Sequence, residues 1–241
     1  MKYDAQGRLT SVTEANSFVT SYAYDPLDRL TAVCQGDGDG ICGPTDGLHR
    51  SFVYSSRGKL LNETHPESGV TSYAYDYLGR VKQKQYAGAS SPILYTYDLR
   101  DRLTKVDYPN DTDVLFYYDG LAVPGYEAQN YDNPISHLTG MVDAGGTTLW
   151  PSFSDREETL SRLVYFSGVT APFALNYTYD TRGNLNTIQY PSRQVISIPR
   201  NNANAINGIT RQFSPNPSST LVTTVDYNAA ILPAASPMRT A

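Results

Sequence analysis

The chain has 241 residues, 40% of them apolar and only 18% charged, with 20 Tyr against 7 Phe and a single Trp; that length can bury a core in one large domain or two small ones. A net charge of −5 with no basic run excludes a nucleic-acid surface that works by neutralising phosphates, and no apolar stretch reaches the ~18–20 residues of a bilayer span. Abundant Tyr, Thr and Val, with 18 Gly and 15 Pro as punctuation, imply an all-β chain rather than a helical one.

The first residues, MKYDAQGRLTSV, lack the apolar segment of a signal peptide and open inside a phrase that recurs down the chain. It reads Tyr3-Asp4-x-x-Gly7-Arg8-Leu9, then Tyr24-Asp25-x-x-Asp28-Arg29-Leu30, with a looser copy at Tyr54-Ser55-x-x-Gly58-Lys59-Leu60. Three more follow: Tyr75-Asp76-x-x-Gly79-Arg80-Val81, Tyr97-Asp98-x-x-Asp101-Arg102-Leu103 and Tyr179-Asp180-x-x-Gly183-Asn184-Leu185. Asp4 to Asp25 is a step of 21 residues, Asp76 to Asp98 one of 22, and Asp98 to Asp119 one of 21.

Each copy predicts a hairpin. Aromatic residues alternate ahead of it, as in Tyr22-x-Tyr24, Tyr73-x-Tyr75, Tyr95-x-Tyr97 and Tyr177-x-Tyr179; period two puts both rings on one face of a strand. Asp4, Asp25, Asp76, Asp98 and Asp180 stand at the first turn position, where a carboxylate accepts a backbone N–H two residues on. Gly7, Gly58, Gly79 and Gly183 stand where a type I turn with a bulge requires positive φ. Asp28 and Asp101 replace that glycine, a poorer but admissible left-handed choice. A second turn signal recurs between the hairpins at His65-Pro66, Tyr108-Pro109 and Tyr190-Pro191. Each unit is two short strands and two turns, too small to bury its aromatic face alone, so units must stack.

Two segments interrupt the period. Residues 35–47 form a Gly/Asp-rich insertion in which Asp37, Asp39 and Asp46 alternate with glycines as calcium ligands do. The twelfth-position Glu of an EF-hand loop is missing and the flanks are strands, so a solvated loop is preferred and no metal is expected. Cys34 and Cys42 bracket this insertion: a loop-closing disulfide, the preferred state, if the protein is exported, and two free thiols if it is not. Residues 120–135 form the second insertion, after which the return strand resumes at Ser136-His137-Leu138-Thr139. Clear repeats cover 1–119 and 175–190. Degenerate ones cover 120–174 and 191–241, with worn turns at Phe153-Ser154 and near Ile198, and a further start at Tyr227.

Tyr-Asp-x-x-Gly-Arg-Leu at this period resembles the Rhs/YD-repeat family. In related proteins such hairpins wind into a curved or spiralling sheet that forms a hollow shell. In bacterial Rhs polymorphic toxins and insecticidal toxin complexes the shell encloses a C-terminal toxic domain, and in teneurins a similar barrel supports cell-surface adhesion. The resemblance implies one array over 1–241, a slice of a longer one. It further implies a structural shell wall of a secreted or surface-exposed protein, with flanking repeats and an enclosed toxin domain as partners. Neither the family's self-cleaving core segment nor a toxin domain is recognised in this chain.

Catalysis is not expected. His49, His65 and His137 are scattered, no Cys–His pairing or Gly-x-Ser-x-Gly elbow occurs, and turn capping accounts for the aspartates as a class. No cofactor is implied. Aromatic rows also suit sugar stacking, so a carbohydrate-binding or adhesion module is the alternative function, with cell-surface glycans as partners. Recurrence in every unit favours packing, because a binding site would be local.

Overall fold

The computed structural model describes residues 1–15, 17–36, 41–43, 48–126, 130–213, 219–222 and 225. The chain forms two compact units, Met1–Thr112 and Asp113–Ala241. The described residues make nineteen strands and no helix, and every strand ladder is antiparallel, as the period-two aromatic pattern implies.

The first unit is a meander in which each strand pairs with the next. Its strands are β1 (Lys2–Tyr3), β2 (Leu9–Thr13), β3 (Val19–Tyr24), β4 (Leu30–Gln35), β5 (Leu48–Tyr54), β6 (Leu60–His65), β7 (Gly69–Tyr75), β8 (Val81–Gln85), β9 (Ile93–Tyr97) and β10 (Leu103–Asp107). The register slips at each repeat turn, between Ala23 and Tyr24, Val53 and Tyr54, and Ala74 and Tyr75. That slip is a bulge. It aims the last tyrosine of each phrase away from the regular pleat. The second turns close tightly too: His65 pairs with Gly69, whose φ is +73°.

The second unit repeats the arrangement with β11 (Val114–Tyr118), β12 (Leu138–Asp143), β13 (Gly146–Phe153), β14 (Thr159–Phe166), β15 (Phe173–Tyr179), β16 (Leu185–Gln189), β17 (Gln194–Ser197), β18 (Ile209–Phe213) and β19 (Ser219–Val222). Described residues between β11 and β12 lie back on the sheet instead of hanging from it. Asp132 donates its N–H to Pro151 O at 2.9 Å and accepts that of Phe153 at 3.1 Å. Val123, 3% exposed, plugs the space over Gly140, where a Cβ would stand 2.5 Å from its Cγ2. Leu149 and Thr139 are fully buried beside it. Among the described residues of the first unit the buried apolar side chains are small: Ala32, Cys34 and Val106. Burial there is shallow, so polar contacts carry more of the cohesion.

Candidate functional site

The aspartates sit at one corner of each hairpin. Asp4 Oδ1 accepts the N–H of Gln6 at 3.0 Å and of Arg8 at 2.9 Å, while Oδ2 accepts Arg8 Nε at 2.6 Å. Asp25 repeats this with Leu27 and Arg29, Asp76 with Leu78 and Arg80, and Asp98 with Arg100 and Arg102. Loss of hydration works to raise each of these carboxyls. The backbone N–H and guanidinium of the following arginine outweigh it, so all four are held below the ordinary aspartate range. Asp180 is also lowered, by the backbone N–H and side-chain amide of Asn184. Gly7, Gly58, Gly79 and Gly183 have φ between +77° and +81°.

The arginine of the phrase reaches the next repeat. Arg8 lies 5.0 Å from the Tyr24 ring centroid, Arg29 4.9 Å from Tyr54 and Arg80 4.5 Å from Tyr97, which are cation–π distances. Arg8 Nη1 also donates to Asp25 O, and Arg29 Nη1 to Ser55 O, both at 3.0 Å. The tyrosine returns the contact. Tyr24, Tyr54, Tyr75, Tyr97 and Tyr179 donate their hydroxyls to the carbonyls of Leu9, Leu30, Leu60, Val81 and Thr159, at 2.7–3.0 Å. Each repeat is thus tied to its neighbour from both sides.

Asp28 and Asp101 do more than tolerate left-handed backbone at φ +61° and +65°. Asp28 Oδ1 accepts Arg8 Nη1 at 2.8 Å, and Asp101 Oδ1 accepts Arg80 Nη1 at 2.6 Å. Their substitution for glycine adds an ion pair between repeats. The sequence reading gave neither this role nor the arginine's stitch. A signal existed: in these two places the corner aspartate follows one period after an arginine.

Comparison with known proteins agrees with this geometry. The RHS Repeat family profile matches residues 3–39. Relatives include Teneurin-3 of Danio rerio, 27% identical over 143 residues, covering 51% of this chain and 5% of that protein. Toxin subunit YenC1 of Yersinia entomophaga is 26% identical over 204 residues, covering 78% of this chain and 20% of that one. The chain is similar to RHS/YD-repeat proteins. The tRNA nuclease WapA of Bacillus subtilis (strain 168) is 27% identical over 201 residues, 76% of this chain and 8% of its own length. Among solved structures, TcdB2-TccC3 superposes on 96% of this chain with a TM-score of 0.73 and 18% identity, using 13% of its own chain. The Photorhabdus luminescens Tc holotoxin pore gives the same TM-score with 12% of its chain. The chain therefore spans between 5% and 20% of the length of these curated relatives.

Where the YD phrase is broken, a groove opens between neighbouring turns. Lys59 replaces arginine beside a groove of about 560 Å³. Glu158 does so beside one of about 470 Å³, and Asn184 precedes a third of about 450 Å³ lined by Leu185, Arg200 and Asn204. At Ser154–Glu158 the Asp–Arg pair becomes a serine hydroxyl on a carboxylate at 2.6 Å. His137, in an arginine slot, stacks on Phe153, in the tyrosine slot, at 4.0 Å and 8° between planes. Two flat rings take over the cation–π contact.

The remaining candidate residues are spread out. Cys34 is joined to Cys42 by a disulfide with Cα atoms 5.2 Å apart. His49 lies with the two sulfurs in a cluster within 4.8 Å, but sulfurs bonded to each other are not thiolate ligands. His65 Nε2 is 3.7 Å from Glu63 Oε2. Asp37, Asp39 and Asp46, the calcium candidates, lie outside the described residues, as does Tyr227.

Proposed function

We propose that this chain is wall: a stretch of YD-repeat shell in a secreted or surface-exposed protein, enclosing a toxic domain that lies C-terminally in the same polypeptide. The observation that carries the reading is the stitch. Arg8–Tyr24, Arg29–Tyr54 and Arg80–Tyr97 are one contact made again at each step, which serves extension of a sheet and no localised chemistry. The tyrosine rows support wall over adhesion, because Tyr24, Tyr54, Tyr75, Tyr97 and Tyr179 spend their hydroxyls on neighbouring repeats. Relatives described as a toxin subunit and a tRNA nuclease support a toxic cargo. Among the described residues no helix is long and apolar enough to cross a membrane, and the partners on this reading are flanking repeats and the cargo.

The reading frame on the downstream side is the first test. A further run of YD repeats, a core segment and a small variable domain are expected there; an adhesive or anchoring module in their place overturns the cargo. In the full polypeptide, the downstream domain should resist trypsin until the repeats are unfolded by urea. Digestion at one rate with and without the repeats would refute enclosure.

A further inference from the structure

The three histidines serve as controls for one another. His65 stands 3.7 Å from a Glu63 carboxylate oxygen and meets the Phe52 ring edge-on, and His137 stacks on Phe153. Among the described residues the His49 imidazole has no hydrogen bond, ion pair or ring contact. What it faces is sulfur. His49 lies directly across the β4–β5 ladder from Cys34, so the two side chains share one face of the sheet as cross-strand neighbours. A ring nitrogen of His49, Cys34 Sγ and Cys42 Sγ lie within 4.8 Å of one another.

Two of these three groups are fixed by strands. Cys34 is fully buried in β4, between an equally buried Ser21 on β3 and His49 on β5. Cys42 is held against them by the disulfide, and Gly43 O beside it lies 3.5 Å from Cys34 Sγ. Cys42 stands outside any strand, so once the bond is cut its sulfur can step back without breaking a ladder. A tetrahedral zinc site places its sulfur and nitrogen ligands about 3.5–3.8 Å apart, given metal distances of about 2.3 Å to sulfur and about 2.0–2.1 Å to imidazole nitrogen. A small side-chain adjustment reaches that spacing. No Cys-x-x-Cys pattern announces the cluster, because strand register makes it.

We propose that, once the disulfide is reduced, Cys34, Cys42 and His49 bind one borderline-soft divalent cation of the zinc class, with water in the fourth position. A thiol reductant supplies two electrons, each sulfur takes up a proton, and the reductant leaves as its own disulfide. The cation then displaces both thiol protons and gains two bonds to thiolate and one to neutral imidazole. Two sulfurs and an imidazole favour such a cation over calcium or magnesium, which take oxygen ligands. The two states exclude each other, since oxidation returns the sulfurs to one another and releases the metal. Cation and disulfide thus close the same loop, one where thiols are kept reduced and the other in an oxidising compartment. Neither depends on what the repeats enclose.

The test is a titration of the 241-residue protein with Co²⁺, a coloured stand-in for Zn²⁺, after reduction by a water-soluble phosphine that ends as its oxide. A single equivalent should give the intense visible bands and thiolate-to-metal charge transfer of a tetrahedral site, and Zn²⁺ should abolish both. Oxidised protein should show neither. Zn²⁺ should also raise the melting temperature of the reduced protein and leave that of the oxidised protein unchanged. His49→Ala should weaken Co²⁺ by about a hundredfold or more, above the roughly 10–100-fold that a lost outer-shell contact costs. His65→Ala and His137→Ala should leave binding unchanged. Amide spectra of reduced, metal-free His49→Ala should keep the β3–β5 signals, which separates loss of a ligand from loss of fold. Equal binding by oxidised protein would overturn the thiolates' role, and equal binding by His49→Ala would overturn that of the imidazole. Reduced protein that lost the β4–β5 ladder, or gave only the weak bands of octahedral Co²⁺, would overturn the site.

Discussion

The two units of this chain reach the same antiparallel architecture by different chemistry. In Met1–Thr112 the turn slots hold Asp4, Asp25, Asp76 and Asp98, the stitching slots hold Arg8, Arg29, Arg80 and Arg102, and only Ser55 and Lys59 depart. In Asp113–Ala241 the stitching slots hold His137, Glu158, Asn184 and Ala205, none of them arginine. What replaces the charge is bulk: Val123, Leu149 and Phe153 are buried, and β13 and β14 run to eight residues each. A repeat can lose its ionic stitch when apolar burial substitutes for it. The same exchange explains why the turn motif fades from the sequence while the hairpins persist.

The largest expected effects lie in the second unit. Leu149 is fully buried, so Leu149→Ala should cost about 2–5 kcal/mol. Hydrogen exchange should place the loss in β12–β14 rather than in the first unit. An equal loss in both units would show that they are not separately stabilised. In the first unit the largest single effect should come from the covalent link: replacing Cys34 and Cys42 together by Ala should cost about 2–3 kcal/mol for so short a loop, read as lowered protection of β3–β5.

Backbone geometry comes next. Gly79→Val places a β-branched residue at φ +80° and should cost about 1–3 kcal/mol. Gly79→Asp should cost far less, since Asp28 and Asp101 occupy the same corner. If the two variants were equally destabilised, the corner would be selecting for glycine's small size instead of its conformation. Smaller again is Tyr75→Phe, which removes one hydroxyl bonded to Leu60 O at 2.7 Å and should cost about 0.5–1.5 kcal/mol. Phe153 shows that the ring alone can serve where a different partner stacks on it.

The hairpin pattern was legible in the sequence because its causes are local. Alternating tyrosines, an aspartate two and four residues from the N–H groups it accepts, and a left-handed corner all fall within one phrase. The stitch was not legible from any one phrase, because Arg8 and Arg29 meet carbonyls 17 and 26 residues away, at a distance set by pairing register and not by chain proximity. Residues 120–135 read as an insertion for the same reason. Nothing within them announces that Val123 plugs the space over Gly140. Slots filled by Phe153, Glu158 and Asn184 lose the motif letter by letter, while the turn hydrogen bonds Ser154 N–H to Glu158 O and Asp180 N–H to Asn184 O, both 2.9 Å, remain.

The smallest effect per residue, and the one that most directly separates the units, is acid sensitivity. Asp4, Asp25, Asp76 and Asp98 titrate below the ordinary aspartate value in the folded chain, about 3.9 when unfolded. A carboxyl depressed by folding contributes stability that is present above its unfolded value and is lost as pH falls through its folded one. The groups lie near the surface, so each contribution is screened and small. The first unit has four of them paired with arginine, whereas the second has Asp180 with the neutral Asn184. Lowering the pH from about 5 to about 2 should therefore reduce amide protection in β1–β10 more than in β11–β19, and added salt at pH 7 should do the same in weaker form. Asp76→Asn should flatten part of the acid response, because an amide oxygen still accepts the Leu78 and Arg80 N–H groups but no longer titrates. An acid response equal in the two units, or unchanged by Asp76→Asn, would mean that the arginine pairs ornament turns whose stability comes from their backbone bonds.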